Sequence, residues 1–279
     1  MNIGIRLHDT APGSLKERLA FARAQGFSCA HVALSKVLED FSMADAPEKL
    51  TEEYALRVRQ DFDESGLECA VLGCYLNLAD PNPERRARTQ EIYKAHLRFA
   101  AKIGARVVGT ETYANPESRF AEPASQSEEA FRLFMDSLKP VVRCAEETGA
   151  ELAVEPVWYH IVSTPERAAR MLEELPSDRL RIILDAVNLI APEKADRAEE
   201  IIRRAISLLG DRVRILHMKD YVITPEGKMD ACACGLGSIR YEQLLSFAAE
   251  RNLPMTLENT VPDNAEQARL YLEHLAEKL

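Results

Sequence analysis

Glu146-Glu147-Thr148-Gly149-Ala150-Glu151-Leu152-Ala153-Val154-Glu155-Pro156 holds the architecture in miniature. An amphipathic helix runs into a glycine, a short apolar run follows, and the run ends in a carboxylate. Glycine just past the last helical turn marks a C-terminal cap, because it adopts the left-handed backbone at no steric cost. The same junction recurs at Gln25-Gly26-Phe27, Ser65-Gly66-Leu67, Ile103-Gly104-Ala105 and Leu209-Gly210-Asp211. At Asn252-Leu253 the other residue that tolerates that backbone takes its place. The spacing is about forty residues, the length of one strand and one helix with their loops.

Between the junctions lie short runs rich in Val, Ile and Leu. They predict strands at Ile3–Leu7, Cys29–Leu34, Glu68–Leu76, Arg106–Thr110, Leu152–Glu155, Arg181–Leu184, Val213–His217 and Met255–Leu257. Runs that are apolar on both faces suit a parallel sheet covered by helices. Ser14 with Glu17 and Ser125 with Glu128 match capping boxes, and Thr164-Pro165-Glu166 sets a capping hydroxyl before a first-turn proline. Phe131, Phe134, Leu138, Val141, Val142 and Ala145 repeat at helical spacing, as do Ile201, Ile202, Ala205, Leu208 and Leu209. Eight such units predict an α/β fold, a (β/α)8 TIM barrel, with residues 1–279 as a single domain. An open doubly wound sheet is the alternative, but no G-x-G-x-x-G follows the first strand. Long strand-to-helix links at Ser35–Leu50, Glu111–Ser125 and Lys219–Gly237 put the working face at the C-terminal strand ends.

The chain has 279 residues, 46% hydrophobic and 29% charged, which excludes a disordered polypeptide. With 35 basic and 45 acidic residues the formal net charge is −10, which disfavours nonspecific binding to nucleic acid or an anionic membrane. No run approaches the ~20 apolar residues of a membrane span. The start of the chain does not read as a secretory signal, and six cysteines, several in apolar runs, suit a reduced, cytoplasmic protein. Cys232 and Cys234 form a C-x-C with no second pair nearby and are read as loop thiols. Walker and dinucleotide-binding patterns are absent, so no nucleotide cofactor is expected.

Four consecutive strands end in groups that carry chemistry: Glu155, Asp185, His217 and Glu258. Parallel barrel strands aim these side chains at one rim. Crowded, buried carboxylates repel one another, and a divalent cation removes that cost. Two Glu, one Asp and one His suit manganese, zinc, iron or cobalt better than calcium, so one such ion is expected. Other candidates for contact with a substrate are His8, Glu111, Trp158 and Lys219, each at or just beyond a strand end. A packed rim histidine, a loop cap and a loop anchor are the structural alternatives for the first three, and pairing with Asp220 is that for Lys219. His31, His96 and His274 lie on strand or helix bodies and are read as structural.

Val154-Glu155-Pro156, Leu184-Asp185-Ala186-Val187-Asn188, His217-Met218-Lys219-Asp220, Gly235-Leu236-Gly237 and Leu257-Glu258-Asn259, in this order and spacing, make the chain resemble the xylose isomerase-like TIM-barrel superfamily. That group holds sugar isomerases and epimerases and endonuclease IV. The resemblance implies Glu155, Asp185, His217 and Glu258 as ligands of one metal ion, with Glu155 and Glu258 as the acid/base pair. It implies a small sugar or polyol as substrate, and isomerisation or epimerisation through a metal-stabilised cis-enediolate. An inosose dehydratase-like lyase, an endonuclease IV-like repair enzyme and a noncatalytic sugar-binding barrel are the alternatives. Many members carry His where this chain has Asn188, a position read as substrate-facing. Endonuclease IV members carry an Asp-x-His shortly before the Gly-x-Gly, where this chain has Met229 and Ala231. Both departures favour one metal and disfavour DNA cleavage. The sugar, its phosphorylation and assembly with further copies of the chain are left open.

Overall fold

The computed structural model describes residues 1–112 and 124–279. In chain order its strands are β1 (Ile3–Arg6), β2 (Cys29–Val32), β3 (Glu68–Gly73), β4 (Val107–Glu111), β5 (Leu152–Glu155), β6 (Leu180–Asp185), β7 (Val213–Met218), β8 (Asp220–Ile223), β9 (Met229–Cys232) and β10 (Met255–Leu257). All but β8 and β9 run parallel and close into one barrel, in the order β1-β10-β7-β6-β5-β4-β3-β2. The architecture is a (β/α)8 TIM barrel.

The long helices around it are α1 (Leu15–Ala24), α2 (Glu52–Ser65), α3 (Pro83–Ile103), α4 (Glu128–Thr148), α5 (Pro165–Glu174), α6 (Ala198–Leu209), α7 (Glu242–Arg251) and α8 (Ala265–Ala276). Their starts follow local chemistry. Ser14 and Glu17 form the expected capping box on α1, and Thr164 Oγ1 accepts from Arg167 N ahead of Pro165 on α5. On α4 the cap is Ser127, which accepts from Ala130 N, rather than Ser125. Ser125 is buried in a preceding 3-10 turn and donates to the Tyr159 carbonyl. Gly26, Gly66, Gly104, Gly149 and Asn252 end helices with φ between 50° and 84°, as the punctuation predicts. Gly210 does not: its φ is −52° and it opens a 3-10 turn packed against Phe247. Among the described residues, no helix is long and apolar enough to cross a membrane.

The period of two along each strand builds the interior. Cys29, Val71, Val107, Ala153, Ile183 and Ile215 form a buried layer inside the barrel. Two residues further toward the C-terminal ends, the same inward face carries His31, Gly73, Gly109, Glu155, Asp185 and His217. A Cβ on Gly73 would lie 2.7 Å from the Tyr75 ring and 2.9 Å from His31 Nε2, so its absence leaves room for both rings. The register shifts at Ala30/His31 and Ile182/Ile183, and the second shift sets Asp185 directly beside His217.

The expected loop Lys219–Gly237 contains the antiparallel hairpin β8–β9. β8 carries only the short apolar run Tyr221-Val222-Ile223, directly after the β7 run, and β9 is largely exposed with no apolar run. The loop expected over Glu111–Ser125 lies mostly outside the described residues.

Candidate active site

Glu155 and Asp185 are the last residues of β5 and β6, His217 is the last but one of β7, and Glu258 follows β10 directly. All four are at most 5% exposed. His217 is the centre: its Nδ1 lies 3.0 Å from Glu155 Oε2 and 3.2 Å from Glu258 Oε1. Lys219 Nζ lies 2.8 Å from Asp185 Oδ2 and 3.3 Å from Glu258 Oε2. Lys219 therefore does not pair with Asp220. The Asp220 carboxylate instead accepts backbone N–H groups from Tyr221, Gly235 and Ile239, tying the start of the hairpin to the Gly-x-Gly turn.

Arg6 and His31 join the cluster from β1 and β2, the strands next in order beyond β10. Arg6 Nη1 lies 3.2 Å from Glu258 Oε2. The His31 ring stacks on that of His217 at 5.2 Å between centroids and 12° between planes. His31 lies within β2, as expected, but it also borders the cluster and the cavity above it. The expected strand ran on to Leu34, but β2 stops at Val32, which leaves His31 at the barrel mouth. Its inward parity with Cys29 was the signal available in the sequence, as was that of Arg6 with Gly4.

Electrostatics follow from burial and crowding. Burial alone would lower His217, but Glu258 and Glu155 outweigh it and push the imidazole up to about 9. Burial raises Glu258, yet His217, Lys219 and Arg6 outweigh it and hold the carboxyl well below its usual range. Asp185 is raised by burial, with Lys219 opposing. Glu111 is pushed up to about 8 by burial and by Glu155, its neighbour across the β4–β5 pairing. His8 falls to about 4 through burial and the Arg6 charge.

Above the cluster a cavity of about 310 Å³ opens, lined by His8, Tyr75, Glu111, Asn188, Lys219 and Glu258 among others. Asn188 donates from Nδ2 to Glu155 Oε1 at 2.5 Å, standing between Glu155 and this space. Trp158 is not in the cavity. Its N–H donates to the Asn188 carbonyl, and the turn closed by His160 N and Val157 O sends neighbouring side chains apart. Trp158 lines a separate groove of about 680 Å³ against α5 and α6, and Tyr159 faces the cavity in its place. The groove is larger, but the buried carboxylates and imidazoles lie under the smaller space.

The donor set fits a cation on the structure's own terms. Donor atoms of Glu155, Asp185 and His217 lie within 4.8 Å of one another, as do those of His31, His217 and Glu258. The other ring nitrogen of His217, Nε2, is buried with no hydrogen-bond partner among the described residues. Three buried carboxylates hold a proton on His217 well above its ordinary range, so the cluster calls for positive charge at its centre.

A family model described as a xylose isomerase-like TIM barrel matches residues 19–278. No curated protein matches the sequence. The fold resembles the apo form of 3-keto-D-glucoside 4-epimerase, YcjR, from E. coli, at a TM-score of 0.77 and 18% identity, covering 98% of this chain and 99% of that one. D-Psicose 3-epimerase with D-tagatose, from Clostridium cellulolyticum H10, gives 0.73 and 14%, covering 100% and 99%. IOLI protein with a binding zinc atom gives 0.69 and 18%, covering 99% and 98%. At these identities the likeness is one of fold.

Proposed function

The chain belongs to the xylose isomerase-like TIM barrel family, and from that premise we propose that it is a divalent-metal-dependent isomerase or epimerase of a small sugar or polyol. The observation that carries this reading is the pair Glu155 and Glu258, which flank His217 Nδ1 at 3.0 and 3.2 Å, Glu258 lining the cavity and Glu155 lying behind Asn188. The epimerase and zinc-containing relatives of the fold support it.

Glu155, Asp185, His217 and Glu258 would hold the cation. When bound, it supplies Lewis-acid polarisation of a carbonyl and the neighbouring hydroxyl, which makes the adjacent carbon acid enough to lose a proton. Glu258 takes or returns a proton at that carbon, and Arg6 and Lys219 keep it ionised. Glu155 serves the opposite side, with its free movement limited by Asn188. Returning the proton to the other face of the same carbon epimerises the sugar. Returning it to the neighbouring carbon isomerises it. His8, Glu111, Asn188 and Lys219 line the space where the remaining hydroxyls would sit.

Phosphodiester cleavage has less support, because Met229 and Ala231 belong to the outlying hairpin and Asn188 cannot replace an imidazole ligand. The test is a panel of ketoses and inososes incubated with metal-loaded protein in deuterated water. We expect deuterium at the carbon beside the carbonyl, and none after chelation. Robust metal-dependent incision of abasic DNA, with no exchange on any sugar, would replace this reading by the nuclease one. Water loss from an inosose after the same exchange would move it to a lyase.

A further inference from the structure

We propose that His31 is an additional nitrogen ligand of the cation, so that the site binds through two imidazoles, His31 and His217. The inference rests on the cation site argued above and extends it to the half of the barrel that supplies no other ligand.

The ring is built in rather than left over. His31 is 1% exposed, and its Nδ1 is buried with no hydrogen-bond partner among the described residues. That atom points into the acid cluster, 3.8 Å from Glu258 Oε1, too far for a hydrogen bond. The other ring nitrogen, Nε2, lies 3.2 Å from Tyr75 Oη. A ligating histidine almost always engages its second nitrogen in this way, which sets the tautomer and the ring plane. With Nε2–H donating to Tyr75, the lone pair on Nδ1 faces the Glu258 carboxylate. Lone pair and carboxylate repel, and a cation between them turns the contact favourable.

Position agrees with this. The register shift at Ala30/His31 and the missing side chain of Gly73 make the room in which the ring lies parallel to His217. A donor atom from each of His31, His217 and Glu258 falls within the 4.8 Å that one ion can span. A second imidazole makes the donor set softer, favouring zinc, cobalt(II) or iron(II) over magnesium.

Pulsed electron paramagnetic resonance on the full chain, stripped with chelator and reloaded with manganese(II), counts the coordinated imidazole nitrogens directly. We expect two in the wild-type protein and one in His31→Ala. Tyr75→Phe, which keeps the ring in place but removes its hydrogen-bond partner, should weaken manganese and zinc binding by about 10-fold or more in calorimetry. One nitrogen in the wild type overturns the proposal and leaves the four-residue site standing. That count decides the matter even if His31→Ala fails to fold. No bound manganese or zinc in the wild type overturns both.

Discussion

From β5 to β10 the barrel mouth is built from strand ends that announce themselves: an apolar run, then Glu155, Asp185, His217 or Glu258. From β1 to β4 the same rim receives Arg6, His31, Tyr75 and Glu111 from less regular ends, two of them beside glycines that clear space. The first arc concentrates negative charge on one imidazole. The second adds a guanidinium, a second imidazole, a phenol and a carboxyl that burial raises to about 8. The first arc carries the four groups proposed to hold a cation and move protons. The second adds positive charge beside Glu258, shapes the cavity and supplies the proposed additional ligand, His31.

The largest expected effect separates the arcs. Glu155→Gln and Glu258→Gln should each cost about 10²–10⁴-fold in kcat, since Gln keeps the size but cannot exchange a proton. Metal content must be measured in each variant, because both residues are also proposed ligands. His8→Ala, on the other arc, should mainly raise KM, by about 10-fold or less, as expected for one lost hydrogen bond. A His8 variant as damaged in kcat as Glu258→Gln would break the division.

Next comes stability in the Asp220 loop. A Cβ at position 237 would run into the Tyr221 carbonyl and sit 2.5 Å from Asp220 Oδ1. Gly237→Ala should cost about 1–3 kcal/mol, a fall of several degrees in Tm. An unchanged Tm would show that the tie between Asp220 and the Gly-x-Gly turn is slack.

The contrast in charge predicts a pH effect. In chelated protein His217 is lifted from 6.5 to about 9, burial being outweighed by Glu258 and Glu155. A folded value above the unfolded one stabilises fully below about 6.5, and that stability is lost as pH rises through about 9. The Tm of chelated protein should therefore fall across this window. A bound cation takes the place of the proton, so metal-loaded protein should lack this component. Equal slopes in the two forms would contradict it. The smallest effect is expected at Trp158→Ala, about twofold or less in turnover, because that side chain lies in the outer groove.

The barrel was legible because its junctions obey local rules: Gly149 needs only a helix end, and Val154-Glu155-Pro156 only a strand end. The hairpin β8–β9 was not, because Val222 and Ile223 face outward and hydrophobic periodicity reports only on burial. His31 was obscured by an apolar run that continues to Leu34 while the strand itself stops at Val32. Trp158 and Tyr159 are adjacent and both aromatic, so composition could not tell which of them the turn would aim at the cavity. Lys219 pairs across strands with Asp185 and Glu258, contacts set by barrel closure rather than by sequence neighbours.

The most direct test of the central claim, that Glu155, Asp185, His217 and Glu258 form one cation site, is a calorimetric titration of zinc and manganese into chelator-stripped protein, with His217→Ala and Asp185→Asn as controls. About one ion per chain is expected in the wild type, as a single closed donor set requires, with affinity lower by about 100-fold or more in each variant, at or beyond the loss typical of a mutated outer-shell partner. An ion that binds equally well in all three proteins, or no ion in the wild type, would contradict it.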